Sequence, residues 1–268
     1  VYKRQVAYRG ADVVAAPGVL AGDIPGKTGA LVPLAGKCRV ESGSPLFLFA
    51  KAPRPGQVKR RLSPPLGMEQ SARVAQAMLE HSAAVVEQGW PGERILSATP
   101  DLSCPAFDRI GEGGHWKTEL QSQGDLGVRM RAALAGGIEH YDAAVVLGTD
   151  IPSVDPSILR RAWQLLAEGC DVVGPSQDGG FYLIGLHRMP EALFAGIRWG
   201  GSEVYTGLVR NARSCDLQLK PLPTLSDCDH YEDLRWAAQN VPTFARSLLR
   251  ANFDMRLLDP NFAYGAAR

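Results

Sequence analysis

No two of the five cysteines, Cys38, Cys104, Cys170, Cys215 and Cys228, stand at C-x-x-C spacing. So odd and scattered a set points to neither a disulfide framework nor a zinc site. It fits a reducing compartment, and a cytoplasmic location is expected. No apolar run approaches the roughly 20 residues of a membrane span. The histidines do not cluster, which removes a histidine metal centre or triad. Ser63, Ser176 and Ser202 lack a nucleophile-elbow context, so covalent catalysis is the weaker choice. An excess of charge is missing too. The formal net charge is +1, which gives no support to a nucleic-acid partner or a membrane-surface role.

What is present is a core. Hydrophobic residues make up 45% of the 268-residue chain and charged residues 21%, enough to rule out global disorder. The stretch Ala143 to Asp155, AAVVLGTDIPSVD, organises the rest. Ala143 to Leu147 has the composition of a central parallel strand covered on both faces. Gly148 and Thr149 break the run and Asp150 follows at its carboxyl end, where open α/β sheets collect ligands. A carboxylate there can hold a divalent metal against a phosphate, or simply bond its own turn. Asp155-Pro156 then opens a helix as N-cap and first helical residue.

Strand-like runs alternate with helical periods from Leu46 onward. Strands are expected at 46–50, 94–98, 117–121, 171–175, 180–186 and 217–222. Helices are expected from Glu69 to Gly89, over 125–138, up to Gly169, and over 202–213, 230–239 and 244–249. Residues 51–66 and 101–116 read as loops. The alternation predicts a three-layer α/β/α sandwich with a mostly parallel central sheet. Residues 1–44 show no steady period and are expected to form a poorly ordered extension. A single domain over 45–250 and a C-terminal tail over 251–268 complete the expected organisation.

Four stretches carry chemistry. In FAKAPRPGQVKRRL (Phe49 to Leu62), Lys51, Arg54, Lys59, Arg60 and Arg61 share one loop with Gly56, and no acidic residue lies between Glu41 and Glu69. Such a loop suits a phosphate-bearing ligand, although it matches neither G-x-x-x-x-G-K-[ST] nor G-x-G-x-x-G. In QSQGDLGVRM (Gln121 to Met130), Gly124 permits close backbone approach and Asp125 can bond a base or ribose, or cap the following helix. In GPSQDGGFYLIGL (Gly174 to Leu186), Asp178-Gly179 signals a hairpin turn. Asp178, Gly179 and Gly180 can also line a polar acceptor pocket. In LSDCDHYEDL (Leu225 to Leu234), Asp227 and Asp229 alternate and can project to one side. Asp229 can supply a second carboxylate beside Asp150, or form a capping box with Glu232.

Taken in order, these stretches with Gly148 to Pro152 resemble a bacterial family of GT-A-fold, glycosyltransferase-like proteins, of the arsenosugar-biosynthesis type. The matching motifs run F-x-K-x-P-x-x-G-x-x-K-T-R-L, Q-x-x-G-D-L-G-x-R-M, G-x-D-x-P, D-G-G-[FY]-Y-L-x-G and D-x-D-x-x-x-D-L. Arg60 departs from the family's Thr, and Trp199-Gly200-Gly201 departs from Trp followed by small hydroxyl residues. The same order of parts is similar to small nucleotidyltransferases such as phospholactate guanylyltransferase. The resemblance implies a GT-A, nucleotide-diphospho-sugar transferase-like fold and a Mg²⁺- or Mn²⁺-dependent transferase with a nucleotide-activated donor. A nucleotide-sugar with a small-molecule acceptor is the first expectation. An NTP with a phosphorylated or acidic acceptor and pyrophosphate release is the second, and a non-catalytic nucleotide-binding protein the third. The expected roles are metal binding by Asp150 and Asp229, and nucleotide or phosphate binding by Lys51, Gly56, Lys59, Arg60, Arg61, Gly124 and Asp125. Asp178, Gly179, Gly180 and Trp199 would face the acceptor. Asp150, Asp178 and Lys59 would be catalytic, with Asp178 as the base.

Overall fold

The computed structural model describes residues 43–259. The expected N-terminal extension lies outside them except for Gly43 and Ser44. Seven strands form one sheet: β1 (Leu46–Lys51), β2 (Arg94–Thr99), β3 (Lys117–Leu120), β4 (Ala144–Gly148), β5 (Asp171–Pro175), β6 (Phe181–Leu186) and β7 (Leu219–Pro221). Their spatial order is β3-β2-β1-β4-β6-β5-β7. All pairings are parallel except those of β6, which runs antiparallel to both β4 and β5. The expected mostly parallel sheet is therefore observed.

The helices are α1 (Ser63–Gly89), α2 (Pro105–Gly111), α3 (Leu126–His140), α4 (Pro156–Ala167), α5 (Val204–Ser214), α6 (Tyr231–Asn240) and α7 (Pro242–Arg250). Period-two alternation sends the central strands' side chains into two cores. Leu46, Leu48, Val145 and Leu147 pack with α1, α2 and α4. Phe47, Ala144 and Val146 pack on the other face with α3 and α5. These are the three layers. A third cluster joins Val74, Ala77 and Met78 of α1 to Leu234, Phe244 and Leu248 of α6 and α7.

Two loop expectations are corrected. The segment 51–66 ends in the first turn of α1, where Pro64 and Pro65 are tolerated because that turn's N–H groups need no intrahelical acceptor. Gly67, at φ 78°, bends the helix before its long run begins. The segment 101–116 contains α2, which buries Ala106, Phe107 and Ile110. Ala251 and Phe253, at the start of the expected tail, are buried in the third cluster.

His187, just past β6, lies between two acceptors: Nδ1 is 3.0 Å from Asp171 Oδ1 and Nε2 is 3.0 Å from the Leu166 carbonyl. The bond to Asp171 outweighs burial and raises the imidazole's pKa. A raised folded-state value gives stability that is present in full below about pH 6.5, the unfolded value, and is lost as pH rises through the folded one. The melting-temperature deficit of His187→Gln should therefore be larger at acidic than at alkaline pH. An equal or larger deficit at alkaline pH would show that the ring does not carry the charge.

Candidate active site

β4 ends at Gly148, and Thr149 and Asp150 follow at the carboxyl edge of the sheet. The chain from β7 to α6 crosses that edge. Its backbone is tied down by Gln177 N–H to the Leu225 carbonyl (2.9 Å), Leu225 N–H to the Pro175 carbonyl (3.2 Å) and Cys228 N–H to the Asp150 carbonyl (2.9 Å). The last bond places Asp229 beside Asp150. From the other direction comes the basic loop after β1.

Lys59 joins the two. Its ammonium lies 2.8 Å from Asp150 Oδ1 and 3.1 Å from Asp229 Oδ1, and donates to the Cys228 carbonyl at 2.8 Å. The Lys59 side chain is 7% exposed, against 62% for Asp150 and 32% for Asp229. Burial alone would lower its pKa, but the charges of Asp150 and Asp229 prevail and raise it. Its backbone sits at φ 44°, a left-handed conformation that costs a non-glycine residue about 1–2 kcal/mol. The ion pairs hold it there. Arg61 reaches the other oxygen of Asp229 at 2.9 Å.

Asp150 and Asp229 line two adjoining cavities. The first, about 400 Å³, is walled by Lys51, Lys59, Arg60 and Arg61, with Phe49, Val58 and Leu79 among its apolar lining. The second, about 280 Å³, adds Asp178, Asp227, Gly180, Phe181, Tyr182 and Trp199. The basic and acidic stretches therefore meet at one rim, and Asp227 and Asp229 do face the same cavity.

The remaining candidates divide. Lys51 lines the first cavity while donating to the Gln57 carbonyl at 2.8 Å, which folds the loop over Gly56. Arg54 is turned away into a two-pronged pair with Asp101. Asp125 caps α3 by accepting from Val128 N–H at 2.9 Å. Neither Asp125 nor Gly124 is among the residues lining the two cavities. Asp178 accepts from the Ser176 hydroxyl and from Gly180 N–H, forming the expected hairpin turn between β5 and β6. A Cβ on Gly179 would collide with the Ser202 carbonyl. The capping box that opens α6 uses Asp233, whose carboxylate accepts from His230 N–H at 2.7 Å. Glu232 does not take that part, and Asp229 is left for Lys59.

Asp227, to which the sequence motifs assign no role, also lines the second cavity. Burial first, then the charges of Asp178 and Asp229, push its carboxyl above the usual range. Its alternation with Asp229 was the available signal. Among the described residues no group of three or more His, Cys, Asp or Glu side chains is arranged to hold a metal ion. The donors at the rim are two carboxylates, a set that suits Mg²⁺ when phosphate oxygens complete the shell.

Removing Lys59 would leave both carboxylates facing each other. Because both are partly solvated, Lys59→Met should cost about 1–3 kcal/mol, less than a fully buried pair. Adding Asp229→Asn should recover part of that loss in a double-mutant cycle. Thermal or urea unfolding measures both. An unchanged melting temperature in Lys59→Met would contradict the pairing.

Residues 75–201 match the family described as "Uncharacterized protein conserved in bacteria (DUF2064)". A proposed nucleotide-diphospho-sugar transferase from Desulfovibrio desulfuricans G20 superposes with a TM-score of 0.70 at 28% identity, over 81% of this chain and 97% of that one. A cytidylyltransferase from Leptospira borgpetersenii serovar Hardjo-bovis (strain JB197) superposes with a TM-score of 0.50 at 12% identity, over 82% and 98%. No curated protein matches the chain. The resemblance read from the motifs is borne out, and the fold is nucleotide-diphospho-sugar transferase-like.

Proposed function

We propose, on the premise of that likeness, that the protein is a metal-dependent transferase acting on a nucleotide-activated donor, most simply a nucleotide-sugar. One observation carries the reading: Lys59 binds the two carboxylates that form the shared wall of a basic and an acidic cavity. The basic cavity takes the donor's diphosphate, with Arg60, Arg61 and Lys51 supplying charge-assisted hydrogen bonds. Gly56 is not itself on that cavity's lining; its positive φ of 74° allows the turn that precedes Gln57, Val58 and Lys59, which are. Asp150 and Asp229 would hold Mg²⁺ or Mn²⁺, which supplies charge stabilisation for the leaving diphosphate. Lys59 keeps those two carboxylates together and adds fixed positive charge at the same place.

The second cavity takes the acceptor. Asp178, held by Ser176 and Gly180, and Asp227 both face it. An inverting transfer needs a base near the attacking hydroxyl. Asp227 lines the same cavity and stands as a candidate beside the expected Asp178. Gly124 and Asp125 remain proposed neighbours of the base or ribose, reached past Leu126 on the second cavity's wall.

Nucleotidyl transfer remains the rival, since Arg60 adds charge suited to a triphosphate. The product decides between them. Turnover of nucleotide-sugars should release nucleoside diphosphate without pyrophosphate. Pyrophosphate release from an NTP would establish the rival. In calorimetry, nucleoside diphosphate binding should strengthen with Mn²⁺, and Asp150→Asn should abolish that gain while circular dichroism stays unchanged. Metal-independent binding that survives Asp150→Asn would mark a non-catalytic binder. Arg60→Ala should weaken binding by a factor that shrinks at high salt.

A further inference from the structure

Charge is divided unequally between the two cavities. Every lysine and arginine of the site lines the first one: Lys51, Lys59, Arg60 and Arg61. The second is lined by Asp150, Asp178, Asp227 and Asp229 and by no lysine, arginine or histidine. Lys59 and Arg61 neutralise Asp150 and Asp229 from the first cavity's side. Among the described residues Asp178 and Asp227 make no ion pair. Asp178 is instead held through one carboxylate oxygen by the Ser176 hydroxyl and Gly180 N–H, and it lines the cavity.

Part of the second cavity's lining is apolar. Trp199 stands edge-on to Phe181 at 6.3 Å and to Phe194 at 5.6 Å between centroids. Gly127 makes room for it, since a Cβ there would come within 2.6 Å of the indole. Leu126 and Met130 extend the wall. Such a surface suits carbon-bound faces, and an aromatic ring attracts a cation.

Resting on the transferase reading above, we infer that the acceptor is a neutral or cationic hydroxyl compound with an apolar face, and that phosphorylated and carboxylated acceptors are excluded. An anion in the second cavity would face unpaired carboxylates with no positive side chain to receive it, and like-charge juxtaposition is an effective means of rejection. In the transfer, the acceptor oxygen forms a bond to the donor's anomeric carbon as the carbon–diphosphate oxygen bond breaks. The hydroxyl proton passes to a carboxylate of the second cavity, and the electron pair leaves on the diphosphate. The inference also bears on the nucleotidyl rival described above, because its phosphorylated or acidic acceptor would be anionic.

Three probes share one apolar body: cyclohexylmethanol, cyclohexylmethylamine and cyclohexylmethyl phosphate. Calorimetry on the intact chain should show the alcohol and amine binding about tenfold or more tighter than the phosphate. Trp199→Ala should abolish that binding while nucleoside diphosphate affinity, read in a separate titration, is unchanged. Asp178→Asn with Asp227→Asn should narrow the discrimination. Equal or tighter binding of the phosphate, or no binding of the alcohol and amine at millimolar concentration, overturns the inference. If nucleoside diphosphates also fail to bind, the transferase reading fails with it; if they bind normally, the acceptor inference alone is lost.

Discussion

A buried ammonium between two carboxylates is the interaction on which the site depends. Lys59 comes from the loop after β1, Asp150 from the end of β4 and Asp229 from the approach to α6. A lysine this buried is tolerable only when paired, because an unpaired charge removed from water is strongly destabilising. The ammonium therefore fixes three segments that are far apart in the chain. It also explains the left-handed backbone at Lys59, since the strain is offset by contacts that an extended conformation would lose.

The sheet makes that convergence possible. Strands β1 and β4 are neighbours and parallel, with Phe49 opposite Gly148, so the segments that follow them emerge side by side. The turn from β5 into antiparallel β6 brings Asp178 to the same edge. The segment after β7 completes the rim through its backbone bonds to Pro175, Gln177 and Asp150. A parallel sheet thus gathers loops from distant stretches at its carboxyl end. Here the gathering produces two cavities of opposite charge sharing one wall, and the basic one suits the anionic leaving group of the proposed transfer.

Much of this was legible beforehand, and the exceptions have physical causes. The central strands announced themselves because strands buried on both faces need unbroken apolar runs, as Ala144 to Leu147 shows. Lys59, Asp150 and Asp229 were identifiable as charged residues beside turn signals. Helix α2 was missed because seven residues hold too few periods to register, and Gly111 with the following Gly113 and Gly114 reads as loop. Arg54 and Lys59 look alike in sequence; only tertiary structure shows that Asp101 diverts the one and Asp150 engages the other. Asp125 had two readings, and the cap geometry shows the local one. Asp227 went unassigned because its distinctive feature, partial burial close to Asp178, depends on a segment that the chain keeps apart from it.

The central claim is that Asp150, Asp229 and the basic loop form one nucleotide–metal site. Diffraction from crystals grown with a nucleoside diphosphate and Mn²⁺ tests it most directly, because anomalous scattering locates the ion independently of the refined coordinates. The account predicts a peak touching both Asp150 and Asp229, with the diphosphate extending toward Arg60 and Arg61. A nucleotide bound elsewhere on the molecule, or an ion that ignores both carboxylates, would contradict it.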